Sequence, residues 1–182
     1  MDKIPINSVR EKTVCFTGHR PEKLPDGGDV NSPAIKRLKS LLYAEIMDAA
    51  DQGFDTFVTG MQRGIDLWAG EAVMSAAAAR GLKLIAVLPY RDMGKGYKGS
   101  DKWLFGRIMD LAHETVIISE EYTPACMAQR NRLMVDSSSR IIAVIDNEHS
   151  GTGQTLRYAR SQGLEIRRID ISAVTGDQLT LL

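Results

Sequence analysis

The sequence predicts an α/β fold, Rossmann-like, with a mainly parallel sheet covered by helices on both faces. Three observations lead there. Short, continuous apolar runs such as Leu84-Ile85-Ala86-Val87-Leu88 and Ile141-Ile142-Ala143-Val144-Ile145 recur along the chain, amphipathic stretches at helical spacing separate them, and glycine or proline punctuates most junctions. Runs that are apolar on both faces belong to buried parallel strands, and a parallel crossover places its helix on one face of the sheet.

Each element follows from local signals. Val14-Cys15-Phe16-Thr17 reads as a buried strand running into Gly18. Pro21, Pro25, Gly27, Gly28 and Pro33 forbid regular structure from about 20 to 33, after which Ile35, Leu38, Leu41, Leu42, Ile46 and Ala49 recur at helical spacing. Ser32-Pro33 starts that helix and Gly53 stops it. Phe57-Val58-Thr59 is the second strand, and a helix over 64–80 ends at Gly81. The third strand, 84–88, is stopped by Pro89; the stretch 91–101, with Gly94, Gly96 and Gly99 among lysines, reads as a mobile excursion. A helix over 101–112, the strand 115–118, a helix over 125–138, the strand 141–145, a helix over 153–162 and a sixth strand over 165–169 complete the alternation. Residues 1–12 read as a lead-in and 171–182 as a loosely attached tail of one domain spanning 1–182.

Composition narrows the function. With 182 residues, 43% hydrophobic and 25% charged, the chain reads as one globular domain that needs neither metal nor disulfide to support its core. Lys+Arg and Asp+Glu balance at 23 each, which removes the broad electrostatic attraction of non-specific nucleic-acid binders and makes any basic site local. Cys15 and Cys126 lie far apart without a CxxC, so a disulfide scaffold and a metal knuckle are not expected and a reducing cytoplasm fits best. No apolar run is long enough to span a bilayer, and the N-terminal residues carry charges instead of a signal core.

Ligands in open α/β sheets lie beyond the carboxyl ends of the strands. Those positions hold Thr17-Gly18-His19-Arg20-Pro21, Gly60-Met61-Gln62-Arg63-Gly64-Ile65-Asp66, Pro89-Tyr90, and Asp146 with the run Ser150-Gly151-Thr152-Gly153-Gln154-Thr155. The last run combines flexible backbone with hydroxyls before a helix: it is either a phosphate cradle of N–H groups or an N-cap by Ser150 or Thr152. No Gly-Lys-Ser/Thr and no GxGxxG after the first strand appears, so Walker and dinucleotide readings fail. Arg20, Arg63 and Arg130 are expected to converge on one anion, and Asp66 on ribose hydroxyls. His19 is either a donor or acid toward ligand or the anchor of its own turn; Tyr90 is the best base-stacking candidate, and Met127 and Met134 read as packing. Arg130→Ala is expected to abolish nucleotide-induced stabilisation while leaving the unliganded protein folded.

Thr17-Gly18-His19-Arg20-Pro21, Gly60-x-x-x-Gly64-x-Asp66, Pro89-Tyr90, Arg130-Asn131-x-x-Met134-Val135-Asp136 and Gly151-Thr152, in this order, resemble the YpsA-like family of the SLOG superfamily over nearly the whole chain. That superfamily includes the Lonely Guy phosphoribohydrolases and the Smf/DprA DNA-processing proteins. The resemblance implies a Rossmannoid fold and a pocket for a nucleotide or nucleotide-derived ligand. Met127-Ala128-Gln129-Arg130-Asn131 is similar to the Lonely Guy Met-His-Glu-Arg-Lys stretch, but Ala128 and Gln129 replace its His and Glu. Matching Gly151-Thr152 to the Lonely Guy PGGxGTxxE loop puts Gln154 and Thr155 at the acidic places; the other register puts Arg157 and Tyr158 there. Glycosidic cleavage passes through an oxocarbenium-like state that a carboxylate supports, so these replacements count against it unless Glu148, Asp146 or Asp66 substitutes.

The expected function is therefore binding or sensing of a nucleotide-type small molecule, with phosphate on Gly151, Thr152, Gly153 and Thr155 beside Asn131 and the arginines. The alternative is an N-glycosidic hydrolase with a non-standard acid. No cofactor is required by either reading, nucleic-acid and membrane partners are not expected, and a homo-oligomer is a family-level expectation.

Overall fold

The computed structural model describes residues 6–175. The strands are β1 (Thr13–Gly18), β2 (Thr56–Thr59), β3 (Lys83–Leu88), β4 (Glu114–Ile117), β5 (Arg140–Ile145) and β6 (Glu165–Asp170); the helices are α1 (Pro33–Asp51), α2 (Ile65–Arg80), α3 (Gly99–Leu111), α4 (Cys126–Asp136), α5 (Gly151–Ser161) and the short α6 (Ser172–Thr175). All strand pairs are parallel and the order is β4-β3-β2-β1-β5-β6.

Side chains alternate between the two faces of each strand, and the two halves of the core follow that alternation. Val14 and Phe16 of β1, Phe57 of β2 and Ile142 and Val144 of β5 face α1, α2 and α3, whereas Cys15, Val58, Ile141, Ala143 and Ile145 face α4 and α5. Helix α1 starts where Ser32 Oγ accepts the Ile35 N–H and Pro33 fixes the first turn. Helix α2 ends in the left-handed Gly81, whose N–H returns to Ala77 O. Cys15 and Cys126 are free and fully buried, and burial pushes the Cys15 thiol up to about 12, so it stays an inert packing group.

The chain runs outward from β1 to β4, then returns across the sheet to place β5 on the other side of β1. Loops after β1 and β5 therefore leave the sheet in opposite directions, opening a crevice at this switch point. Register brings them level: Gly18 pairs with Val144, and Thr152 Oγ1 donates to Gly18 O at 3.2 Å, pinning the start of α5 to the end of β1.

The structure differs from sequence expectation in three segments. Residues 20–33, read as irregular, contain 3-10 turns at Pro21–Lys23 and Pro25–Gly28. The excursion after β3 is packed down: Met93 is buried, Gly94 lies against the Phe105 ring, and Tyr97 Oη sits 3.1 Å from both Met61 O and Gln62 Oε1. The start of the expected tail is anchored, with Ile171 and Val174 buried against the α1 side of the core; residues 176–182 and 1–5 of the expected tail and lead-in lie outside the described residues.

The amino end of the sheet holds Arg140, only 2% exposed. Its Nε and Nη2 donate to Glu165 Oε2 at 2.9 and 2.7 Å, Nη2 also donates to Gln52 Oε1 at 2.6 Å, and the guanidinium carbon lies 4.3 Å from the Phe54 ring centroid. This group ties α1, β5 and β6 together far from the crevice. Arg140→Ala should lower the unfolding free energy by about 2–5 kcal/mol, as for other large buried side chains, without altering ligand binding. Urea denaturation measures the first outcome and titration calorimetry the second.

Candidate functional site

The crevice is a cavity of about 450 Å3. From β1 and its loop come Phe16, Thr17, Gly18, His19, Arg20 and Lys23; Gln62 and Asp66 come from the β2–α2 loop and the first turn of α2. Met127, Arg130 and Asn131 reach it from α4, and Ser150, Gly151, Thr152 and Thr155 from the start of α5. Segments far apart in sequence thus meet at one sheet edge.

At the floor lies a buried ion pair. Asp66 and Arg130 are 7% and 4% exposed, and Arg130 Nη1 stands 3.4 Å from Asp66 Oδ2 while donating to Gly60 O. The Gln62 N–H adds a bond to Asp66 Oδ2 at 3.3 Å. Burial pushes the Asp66 carboxyl up, against the opposing pull of Arg130 and the Gln62 N–H; burial likewise draws the Arg130 guanidinium down, against Asp66. Arg130 Nε has no partner among the described residues although it is buried.

The loop that frames this pair is built to let it in. A Cβ on Gly60 would overlap the Arg130 guanidinium and stand 2.7 Å from Asp66 Oδ2, so only glycine fits there. Gly64, at φ 85°, adopts a conformation that L side chains rarely take, and its added Cβ would come within 2.7 Å of His19 O. Between them Met61, fully buried, is held at φ 62°, with its N–H 3.4 Å from Thr59 Oγ1. Non-glycine residues in this region store strain and persist where the surroundings over-determine them.

The rim is set by α5 and the β1 loop. Ser150 Oγ accepts the Gly153 N–H at 3.3 Å, so Ser150 is the N-cap of the two candidates, while Thr152 uses its hydroxyl on Gly18. Capping leaves the Gly151 and Thr152 end of the helix on the cavity wall, where the helix dipole favours negative charge. Gly153 instead packs on the Glu148 backbone, with a hypothetical Cβ 2.5 Å from its carbonyl carbon. Asn131 Nδ2 donates to Thr155 Oγ1 at 2.9 Å, fastening α4 to α5 across the cavity. His19, 5% exposed, has Nε2 3.0 Å from Asp146 Oδ1. Burial works to raise the Asp146 carboxyl, but the His19 and Asn147 hydrogen bonds outweigh it and hold it below the usual range.

Of the residues the sequence singles out, Thr17, Gly18, His19, Arg20, Asp66, Arg130, Asn131, Gly151, Thr152 and Thr155 share this cavity. Gly60, Gly64 and Gly153 shape its frame, and Pro89 ends β3 without lining it. The expected convergence of three arginines is corrected: Arg63 donates from Nε to Asp101 at 2.8 Å and from Nη1 to Glu22 at 2.7 Å, and lines an adjoining pocket. Two carboxylates already neutralise it. That pocket, about 430 Å3, also holds Tyr90, packed edge-on against Tyr122 at 5.5 Å. Lys23, Gln62, Phe16 and Met127 were missed; Lys23 had a signal, a second cation one 3-10 turn beyond Arg20, whereas Met127 at helical spacing reads as packing in any sequence.

The expectation that Arg130 is dispensable for folding is overturned by its position. Removing it strands the buried Asp66, a loss of about 3–5 kcal/mol for a broken buried pair.

With the geometry in place, comparison with known proteins gives the lineage. The sequence model described as the YspA SLOG family, named YpsA, matches residues 14–179. The chain belongs to this family. The chain is similar to the SPbeta prophage-derived protein YoqJ of Bacillus subtilis (strain 168), 28% identical over 145 residues, covering 72% of this chain and 85% of YoqJ. It is also similar to a UPF0398 protein of Bacillus pumilus (strain SAFR-032), 25% identical over 144 residues, covering 78% of this chain and 77% of the relative. Among solved structures, DNA processing protein A (DprA) from Streptococcus pneumoniae matches with a TM-score of 0.58 at 19% identity, over 93% of this chain. The chain spans 52% of that protein, and the likeness is one of fold.

Two outcomes follow from the YpsA-family chain's buried pair. Gly60→Ala should displace Arg130 and destabilise the protein by about 1–3 kcal/mol, the range of overpacked cores. Arg130→Ala should be most damaging at neutral pH. A carboxyl whose folded pKa is raised contributes stability that is present below its unfolded value and lost as pH rises through the folded one. Without Arg130 that rise is larger, so the stability gap to wild type should widen from pH 4 to pH 7 in urea titrations; a constant gap contradicts the pairing.

Proposed function

We propose that the switch-point cavity binds a nucleotide or nucleotide-derived ligand, with no cofactor required. The observation that carries this reading is the meeting of a capped helix N-terminus with Arg20 and Lys23 around one cavity sized for a small molecule. Phosphate sits against the Gly151 and Thr152 N–H groups with Arg20 and Lys23 beside it. Ribose lies near Gln62, Asp66 and Asn131, and the base turns toward Tyr90 in the adjoining pocket. A local cationic rim on a chain with no net charge suits a small anion better than a nucleic-acid strand, which needs a long basic groove with stacking rings. The DNA processing named for the Streptococcus pneumoniae neighbour belongs to that protein, and zero net charge argues against carrying it over. No helix among the described residues is long and apolar enough to cross a membrane, and we place the protein in the cytoplasm on its two free cysteines.

A hydrolytic second reading rests on Asp66. Glu148 is forked onto Arg160 at 2.7 Å through each oxygen and Asp146 is engaged by His19, so among the described residues Asp66 is the carboxylate lining the cavity. Its raised protonation tendency suits a general acid, yet Arg130 and the Gln62 N–H already occupy Oδ2.

AMP and GMP should raise the melting temperature in a thermal-shift assay and return unaltered by mass spectrometry. Free base with ribose 5-phosphate in the same incubation would transfer the case to the hydrolytic reading, and absence of any shift across millimolar nucleotides and their pyrophosphate-bridged derivatives refutes both. The exposed Arg20→Ala and Lys23→Ala should each weaken binding about ten-fold or more while leaving the melting temperature of free protein unchanged.

A further inference from the structure

The phosphate wall lies in the middle of a longer cleft. On one side the cavity shares Arg20, Gln62 and Met127 with the tyrosine pocket. On the other it shares Met127, Asn131, Gly151 and Thr155 with a groove of about 340 Å3 between α4 and α5. Met127 therefore faces all three compartments, and Gly151 and Thr155 stand on the border of two. The helix N-terminus thus opens onto a further compartment of ligand size.

The groove has its own chemistry. Ala128, Arg132, Gln154 and Tyr158 line it together with the shared residues, and among the described residues no carboxylate does. The Arg132 guanidinium lies 5.8 Å from the Tyr158 ring centroid, and Tyr158 Oη donates to Asp136 Oδ1 at 2.8 Å, which holds the ring in place. Amide, guanidinium and aromatic face together suit a hydroxyl-bearing sugar attached to an anion. Within the main cavity, Arg130 is 4% exposed and its buried Nε has no partner among the described residues.

We infer that the phosphate held at Gly151 is an internal one, part of a pyrophosphate or phosphodiester, so that the ligand carries a nucleoside toward the tyrosine pocket and a second sugar or nucleoside in the α4–α5 groove. This rests on the nucleotide reading and sharpens it from nucleotides in general to bridged, two-headed ones.

Binding of AMP and GMP, which end in a monoester, is compared by calorimetry with binding of ADP-ribose and GDP-mannose, which carry a bridging pyrophosphate. At least one bridged compound should bind ten-fold or more tightly than its monoester. Ala128 is exposed and lines the groove but not the main cavity, so Ala128→Trp fills the groove alone. It should erase that preference by weakening the bridged ligand, with the monoester affinity changed less than two-fold. Equal binding of monoester and bridged compounds by wild type, or a preference that survives Ala128→Trp, overturns the inference and leaves the nucleotide reading standing. Failure of all four compounds to bind overturns both.

Discussion

A carboxylate and a guanidinium, both nearly removed from solvent, face each other beneath the cleft, and much of the surrounding architecture is a consequence of accommodating them. Asp66 sits in the first turn of α2, where the helix N-terminus and the Gln62 N–H favour its charge, while Arg130 arrives from α4 on the same floor. Burying either alone would be strongly unfavourable, so each depends on the other for its place. The glycine at 60 admits the guanidinium, and the left-handed Met61 and Gly64 bend the loop so that the Asp66 carboxyl points back over it. The result is a rigid, polar base for a cavity whose rim remains cationic.

The opposite end of the sheet solves a related problem for a different purpose. Arg140 is even more deeply buried, yet its partners Glu165 and Asp48 are about half exposed, and its neighbours come from elements that close the fold and not from loops that frame a cleft. Two buried arginines thus divide the labour of a parallel sheet. One secures the amino edge; the other organises the carboxyl edge, where the ligands of open α/β sheets lie.

The chemical character of the cleft follows from which carboxylates have already been engaged. Glu148 and Asp146, both in the loop after β5, are consumed by Arg160 and His19, and Arg63 is consumed by Glu22 and Asp101. What remains facing the cavity is the cationic pair Arg20 and Lys23, amide and hydroxyl groups, and the Arg130-bound Asp66. Such a lining is the basis of the proposed recognition of phosphate and sugar. Membership in the YspA SLOG family sets the lineage, and the residues of this chain set the balance between binding and bond cleavage.

The sequence by itself determined the strand and helix alternation, because continuous apolar runs and 3.6-residue periodicity are local properties that parallel sheets and their crossovers require. It also placed most of the cavity residues, since glycines and polar groups after strand ends must lie at the carboxyl edge of such a sheet. The packing of residues 91–101, the anchoring of Ile171 and Val174, the diversion of Arg63 into two salt bridges and the structural role of Arg130 were decided by tertiary structure. Each depends on partners tens of residues away: Asp101 for Arg63, Asp66 for Arg130, Met61 for Tyr97. Local pattern fixes which way a side chain leaves its strand or helix. Whether that side chain meets solvent, a ligand or an opposite charge is settled only when distant segments are brought together.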